Sequence, residues 1–204
     1  MNTHQGYSDR ISHALSFAAK HGAGAGRPLD RPAYPTRPAH VAIILARYGC
    51  DETTIVAGIL GTLLNEVDQL HLADLTERVA AKFPAEVNRI IQQVLEPRFD
   101  TRRKTRSWEA SKFDFLASLT QADPAALDVC AAREIHQCGT LLTELRRLGL
   151  EYVAGSAPGG ATAVLDWFDG VIRILEGHPV GPRPGMLMEL RDLAGRLRAD
   201  ATAG

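Results

Sequence analysis

The polar residues that could do chemistry in this chain stand at the end of one apolar run and on one face of a later helix. Residues 55–64 are apolar or small and are followed directly by Asn65 and Glu66. Arg133 and His136 are three residues apart, so on a helix they share a face. A carboxylate, an imidazole and a guanidinium could serve acid/base catalysis or the binding of an anion.

Other familiar kinds of reactive site are not indicated. The three cysteines, Cys50, Cys130 and Cys138, are odd in number and lack the spacing of a zinc site or a disulfide framework. They are typical of reduced cysteines in a cytoplasmic protein. The glycines of Gly22-Ala-Gly-Ala-Gly26 follow no strand, so this segment does not predict a phosphate-binding loop.

Composition restricts the class of protein further. A chain of 204 residues with 45% hydrophobic and 23% charged residues can bury one good core, and we expect a single domain over residues 1–204. The net charge of -1 gives no basic excess for a nucleic-acid partner. No leader and no long apolar run is apparent, so we expect no membrane association and a cytoplasmic location.

The pattern of apolar residues predicts only helices. Periodicity of 3.6 residues, capping residues and Pro/Gly breaks place helices at about residues 8–21, 38–48, 51–66, 73–83, 85–95, 108–119, 124–149, 162–175 and 184–198. The third of these is apolar on nearly all sides, as in the central helix of a bundle. Residues 96–107 form a basic segment, which predicts a solvated loop or an anion-binding lip. The fold class is therefore all-α.

Several short segments resemble, in order, those of the HD-domain metal-dependent phosphohydrolases. They are similar to the Rel/SpoT-like branch, which removes pyrophosphate from guanosine tetraphosphate. The segments are Ala18-Ala-Lys-His21, Val41-Ala42, Asp51-Glu-Thr-Thr, Trp108-Glu-Ala-Ser-Lys112 and Ala131-Ala-Arg-Glu-Ile-His-Gln137. The resemblance covers about residues 8–177 and implies an HD-domain-like helical bundle, with residues 178–204 as a C-terminal helix packed on it.

The metal ligands of that family are replaced in this chain. Its first histidine corresponds to Arg37, its central His-Asp pair to Gly61 and Thr62, and its last aspartate to Arg133. A divalent metal would lower the pKa of a bound water and polarise a phosphate, but glycine and arginine offer no lone pair to hold it. The resemblance thus implies a degenerate site without a metal or other cofactor.

The two arginines define the central question. If the helices pack as in the family, Arg37 and Arg133 converge on the place of the metal, and a buried cation needs an anion. Glu66 or Glu134 could supply it and form an internal salt-bridge plug. Alternatively, the guanidinium groups bind a carboxylate or phosphate of a ligand, beside Thr62 and Asn65.

The resemblance also implies ligand contacts elsewhere. Arg27, Tyr34 and Lys112 match positions that hold the nucleotide in the family, although the long loop leaves open whether Arg27 or Arg31 is the counterpart. His136 is retained from the family motif and either lines the cavity or packs as an ordinary histidine. His40 is expected to point about 200° away from the lost ligand and is not counted as a substitute.

These observations lead to three hypotheses of function. The first is a non-metal pseudoenzyme that binds a small anionic ligand or a protein partner in the former active-site cavity. The second is a metal-independent enzyme that uses Glu66 and His136 for acid/base chemistry. The third is a nucleotide pyrophosphohydrolase with non-standard metal ligands. The amphipathic last helix, residues 186–197, could form a homodimer or pack within the monomer.

Overall fold

Ten helices make up almost all of the regular structure in the part of the chain that the structure, a computed structural model, describes: residues 6–22 and 36–203. They are α1 (Asp9–Gly22), α2 (Thr36–Arg47), α3 (Glu52–Glu66), α4 (Gln69–Lys82), α5 (Ala85–Val94), α6 (Trp108–Leu119), α7 (Pro124–Leu148), α8 (Leu150–Ala154), α9 (Gly160–Gly177) and α10 (Pro184–Ala203). Across these described ranges the only β-type pairing is one isolated bridge, between Phe99 and Thr105. The predicted all-α class is confirmed.

Helix α3 lies at the centre of the bundle. The Asp51 side chain accepts a hydrogen bond from the Thr54 backbone N–H at 2.8 Å and so caps its start. Every residue of α3 from Thr54 to Leu64 is buried, and the helix packs against α1, α2, α5 and α7. Gly58 allows the close approach of α2, because a Cβ at this position would overlap Leu45 Cδ1. The near-continuous apolar run is therefore explained by burial on most sides.

Helix α7 is in contact with helices from both ends of the chain. It packs against α2, α3 and α5 and also against α10. Gly149, with φ of 84°, ends α7 in a backbone conformation that favours glycine. The short helix α8 follows at once, within a stretch where the sequence pattern does not predict one. None of the described helices is long and apolar enough to cross a membrane.

The basic segment between α5 and α6 is a tight hairpin. Asp100 N donates to Lys104 O and Arg106 N donates to Arg98 O, both at 2.9 Å. The side chains at its tip, Arg102, Arg103 and Lys104, are exposed. The hairpin connects the end of α5 to α6, so Glu96 and Lys112 approach the same place from its two ends.

Candidate anion-binding site

Arg37 and Glu66 form an ion pair between the first turn of α2 and the last turn of α3. Arg37 Nη1 donates to Glu66 Oε1 at 3.3 Å, and Arg37 Nη2 donates to Gln137 Oε1 of α7 at 2.6 Å. The Glu66 side chain is 11% exposed and that of Arg37 is 33% exposed. The structure thus places Arg37 on Glu66, one of the two partners considered from the sequence.

Arg133 is paired with a residue that the sequence did not suggest. Its Nη2 donates to Glu96 Oε1 at 3.1 Å, and its Nη1 donates to the Val94 carbonyl at 2.8 Å. The suggested alternative, Glu134, instead accepts a hydrogen bond from Trp167 Nε1 at 2.8 Å. Neighbouring residues on a helix point about 100° apart, so the side chains of Arg133 and Glu134 leave α7 in different directions.

Lys112 of α6 is the second partner of Glu96. Its Nζ donates to Glu96 Oε1 at 2.9 Å and to Oε2 at 3.0 Å. The same ammonium group lies 4.1 Å from the centroid of the Trp167 ring and 5.9 Å from that of Trp108. Attraction to aromatic faces and to a carboxylate fixes the position of Lys112.

Thr62 and Asn65 use their polar atoms within the protein. Thr62 Oγ1 donates to the Gly58 carbonyl at 2.7 Å, inside α3. Asn65 Nδ2 donates to the carbonyls of Gly61 and Val94, and Asn65 Oδ1 accepts from Glu96 N, each at 2.9 Å. Asn65 therefore joins the end of α3 to the end of α5 and fixes the backbone of Glu96.

These side chains surround a small cavity. Its volume is about 140 Å³, and it is lined by Arg37, Thr62, Asn65, Glu66, Glu96, Lys112, Arg133 and Gln137. Three of these residues are cations and two are carboxylates, so the lining has one net positive charge. Burial raises the pKa of Glu96, but Lys112 and Arg133 outweigh burial and hold that pKa below its usual range. Glu96 is thus ionised at neutral pH.

Arg98 brings a further cation close to the lining. Its Nη2 donates to the carbonyls of Leu64 at 3.0 Å and Val67 at 2.9 Å, at the C-terminal end of α3. Its buried Nε–H has no hydrogen-bond partner in the described ranges, 6–22 and 36–203. Burial lowers the pKa of Arg98, and the nearby Glu96 carboxylate acts in the opposite direction.

His136 is not among the residues that line the cavity. Burial, together with Arg37 and His40, lowers the pKa of His136 to about 4, so its imidazole is neutral at pH 7. Its ring lies 5.0 Å from that of His40, centroid to centroid. His40 is exposed and does not line the cavity either, so the structure does not bring it into the site.

The donor set does not fit a divalent metal ion. The two carboxylates of the cavity, Glu66 and Glu96, are each bound by a cation. In the part of the chain described, no three His, Cys, Asp or Glu side chains are grouped so that they could hold a metal. A guanidinium or ammonium group beside each carboxylate would repel the ion. The lining of a site for a divalent metal carries net negative charge, whereas the lining of this cavity has one net positive charge.

Sequence reasoning missed Glu96 and Gln137 and could not place every candidate. Glu96 stands at the start of the basic segment, and a lone glutamate after a helix gives no periodic signal. Gln137 directly follows His136 in the family-like motif, which was the available signal for it. Arg27 and Tyr34 lie outside the described residues.

Comparison with known proteins gives a family and several solved structures of similar fold. Residues 14–121 match the model of the HD domain family. The 1.85 Å crystal structure of lmo0812 from Listeria monocytogenes EGD-e is similar, with a TM-score of 0.63 and 18% sequence identity over 81% of this chain and 99% of that chain. At this identity the likeness shows the fold alone. No curated protein matches the sequence.

Proposed function

Because the chain belongs to the HD domain family, we propose that it is a member without metal-dependent activity, whose cavity binds a small anionic ligand. The observation that carries this proposal is the charge of the lining. Arg37, Lys112 and Arg133 converge from three helices on a space that contains two carboxylates. An anion would complete the neutralisation of these cations.

Lys112 and Arg133, at the buried end of the cavity, have the greatest need of a further anion, because they share the Glu96 carboxylate. One carboxylate there serves both Lys112 and Arg133, whose side chains are only 15% and 6% exposed. Taking a cation out of water costs several kcal/mol unless charge and hydrogen bonds compensate. An anion that reaches Arg133 would form charge-assisted hydrogen bonds with it, which are about twice as strong as neutral ones.

The size of the cavity limits the ligand. A volume of about 140 Å³ is below the roughly 300–1,000 Å³ typical of sites for drug-sized molecules. It suits an inorganic oxyanion or a single carboxylate or phosphate group. This favours a small anion over a complete guanosine tetraphosphate held by the described residues, and membership of the Rel/SpoT-like branch stays a hypothesis.

Acid/base catalysis by Glu66 and His136 is less well supported. Glu66 is bound by Arg37, and a histidine with a pKa of about 4 is a weak base at neutral pH. The two residues also do not face a common space, since only Glu66 lines the cavity. A protein partner and a homodimer stay predictions.

A thermal-shift experiment tests the proposal. Phosphate, sulfate and acetate, at ionic strength matched with NaCl, are expected to raise the Tm of the wild type. At a ligand concentration of 100 Kd the stabilisation is about 2.7 kcal/mol, which corresponds to roughly 5–10 °C for a chain of this size.

Two variants serve as controls. Arg37→Gln should lose the shift, whereas Arg78→Gln, which removes an exposed pair with Asp74, should keep it. A wild type that responds to none of the anions contradicts the proposal. A shift with Mn²⁺ that EDTA reverses would instead restore the metal-dependent alternative.

A further inference from the structure

We infer that Glu96 sets the affinity and the charge selectivity of the cavity, because its carboxylate occupies the position that an anionic ligand would take. This inference rests on the proposed function and deepens it. It makes Glu96 an internal competitor of the ligand, with a role opposite to that of the cations around it.

The contacts of Glu96 are those of a bound anion. Lys112 Nζ contacts both oxygens, at 2.9 and 3.0 Å, and Arg133 Nη2 contacts Oε1 at 3.1 Å. Arg133 and Lys112 are also the most buried cations of the lining, with side chains 6% and 15% exposed against 33% for Arg37. A ligand therefore meets Arg37 first and gains the other two cations only if the Glu96 side chain moves aside.

The structure allows that movement without a change of the main chain. The Glu96 backbone N–H donates to Asn65 Oδ1 at 2.9 Å. The next carbonyl, of Pro97, accepts from Arg106 Nη1 at 3.1 Å and Ser111 Oγ at 3.2 Å. With the backbone fixed on both sides, displacement requires rotation about the side-chain bonds of Glu96 and the exchange of its contacts with Lys112 and Arg133 for contacts made by the ligand.

The charge of Glu96 also decides which anions are favoured. With Glu96 ionised, the lining has one net positive charge, which matches a monoanion. Replacement of the carboxylate by an amide leaves two, which matches a dianion. We therefore expect Glu96 to select against sulfate and dianionic phosphate relative to acetate.

The test compares Glu96→Gln with Glu109→Gln, which changes an exposed glutamate of α6. Sulfate and acetate are titrated at constant ionic strength and followed by tryptophan fluorescence, since both tryptophans of the chain lie beside Lys112. We expect Glu96→Gln to bind sulfate about tenfold more tightly than the wild type, the change that corresponds to 1.4 kcal/mol. The gain for acetate should be smaller, and Glu109→Gln should resemble the wild type.

The outcomes separate the two proposals. If neither the wild type nor Glu96→Gln binds an anion, the proposed function fails. If the wild type binds sulfate and Glu96→Gln binds it equally or more weakly, the inference about Glu96 is overturned and the proposed function stands. Tighter binding by Glu96→Gln supports the inference.

A second variant covers a failure of Glu96→Gln to fold. Glu96→Asp keeps the negative charge near Lys112 and Arg133 but withdraws it by one methylene, so the buried cations stay neutralised. It is expected to bind sulfate more tightly than the wild type, by a smaller factor than Glu96→Gln. Equal or weaker binding by a folded Glu96→Asp would argue against internal competition.

Discussion

At the scale of the residue, the charged groups of the site pair between helices and not along them. Arg37 of α2 reaches Glu66 of α3, and Lys112 of α6 and Arg133 of α7 reach Glu96 beyond the end of α5. Each pair therefore both neutralises a charge and connects two parts of the bundle. Removal of one partner should leave the other charged and buried.

Arg133→Met tests this expectation. Met fills much of the volume of Arg133 but leaves the Val94 carbonyl with Asn65 as its donor and Glu96 with Lys112 as its cation. Breaking a buried pair typically costs 3–5 kcal/mol, and we expect a loss of about 3 kcal/mol because Lys112 still neutralises Glu96. Urea unfolding measures the free energy of unfolding.

The matched control lies on the same helix. Arg146→Met removes an exposed pair with Asp200, 2.8 Å long and 54% exposed on the arginine side, and should cost roughly 0–1 kcal/mol. Similar losses for Arg133→Met and Arg146→Met would show that the buried pair contributes no more than a surface pair.

Part of this arrangement of charged residues could be predicted from the sequence. Sequence reasoning brought Arg37, Arg133 and Glu66 to one place, because a family resemblance transfers positions along helices. It failed on the partner of Arg133, since that choice depends on where Glu96 follows α5 in three dimensions. Pairing across helices has no signature in the spacing of a single chain.

At the scale of the element, close packing around α3 determines what its small residues do. A Cβ on Gly58 would overlap Leu45 Cδ1, and a Cβ on Gly61 would lie 3.0 Å from Val94 Cγ2. Both glycines thus lie where another part of the bundle approaches α3. This explains why residues with poor helix propensity occur in its most buried stretch.

Gly58→Ala should therefore destabilise the protein although alanine is the better helix former. The Cδ1 methyl of the fully buried Leu45 must shift, and overpacking of this kind costs about 1–3 kcal/mol. Gly195→Ala in α10 is the control, since its Cβ would meet nothing within 4 Å. It should stabilise by about 0.4–1 kcal/mol. Equal effects of the two substitutions in chemical denaturation would contradict the packing argument.

The helices themselves were largely predictable, and the exceptions have local causes. Helix α4 begins at Gln69, earlier than the predicted residue 73, because the Asp68 side chain accepts from His71 N at 3.1 Å and caps it. Helix α8 has only five residues, too few for a periodic pattern to develop.

At the scale of the whole molecule, a polar cluster at the start of α10 attaches this helix to the rest of the bundle. Asp128 of α7 accepts from the Arg183 backbone N–H at 2.8 Å, and Arg183 Nε lies 3.2 Å from Asp128 Oδ2. The same Nε donates to Cys50 Sγ at 3.2 Å. Burial raises the pKa of Cys50 to about 12, so the thiol stays protonated.

Asp128→Ala should loosen this attachment. It leaves the Arg183 backbone donor unpaired, at a cost of roughly 1–3 kcal/mol, or more where a charged group loses its partner. We expect Asp128→Ala to speed up hydrogen exchange, relative to the wild type, more in α10 than in α3. Asp128→Asn keeps an oxygen for the backbone N–H and should lose less. Unchanged exchange in α10 for Asp128→Ala would show that apolar packing alone holds this helix.

The all-α class and the HD-domain family could be predicted because both depend on patterns along the chain. The cavity could not be predicted in this way. Its volume and lining depend on how α2, α3, α6 and α7 meet. Gln137, for example, enters the site only because Arg37 donates to it across the α2–α7 contact. The order of short motifs contains no such distance.

The packing of α7 against α10 has a consequence for synthesis on the ribosome. Gly139 and Arg146 of α7 face α10 through Leu193 and Asp200, so this side of α7 is covered by a segment translated later. Until α10 emerges, a nascent chain with α1 to α7 already assembled would present that side to solvent. Protection by chaperones should matter most in that interval, because exposed apolar surface on partly folded chains promotes aggregation.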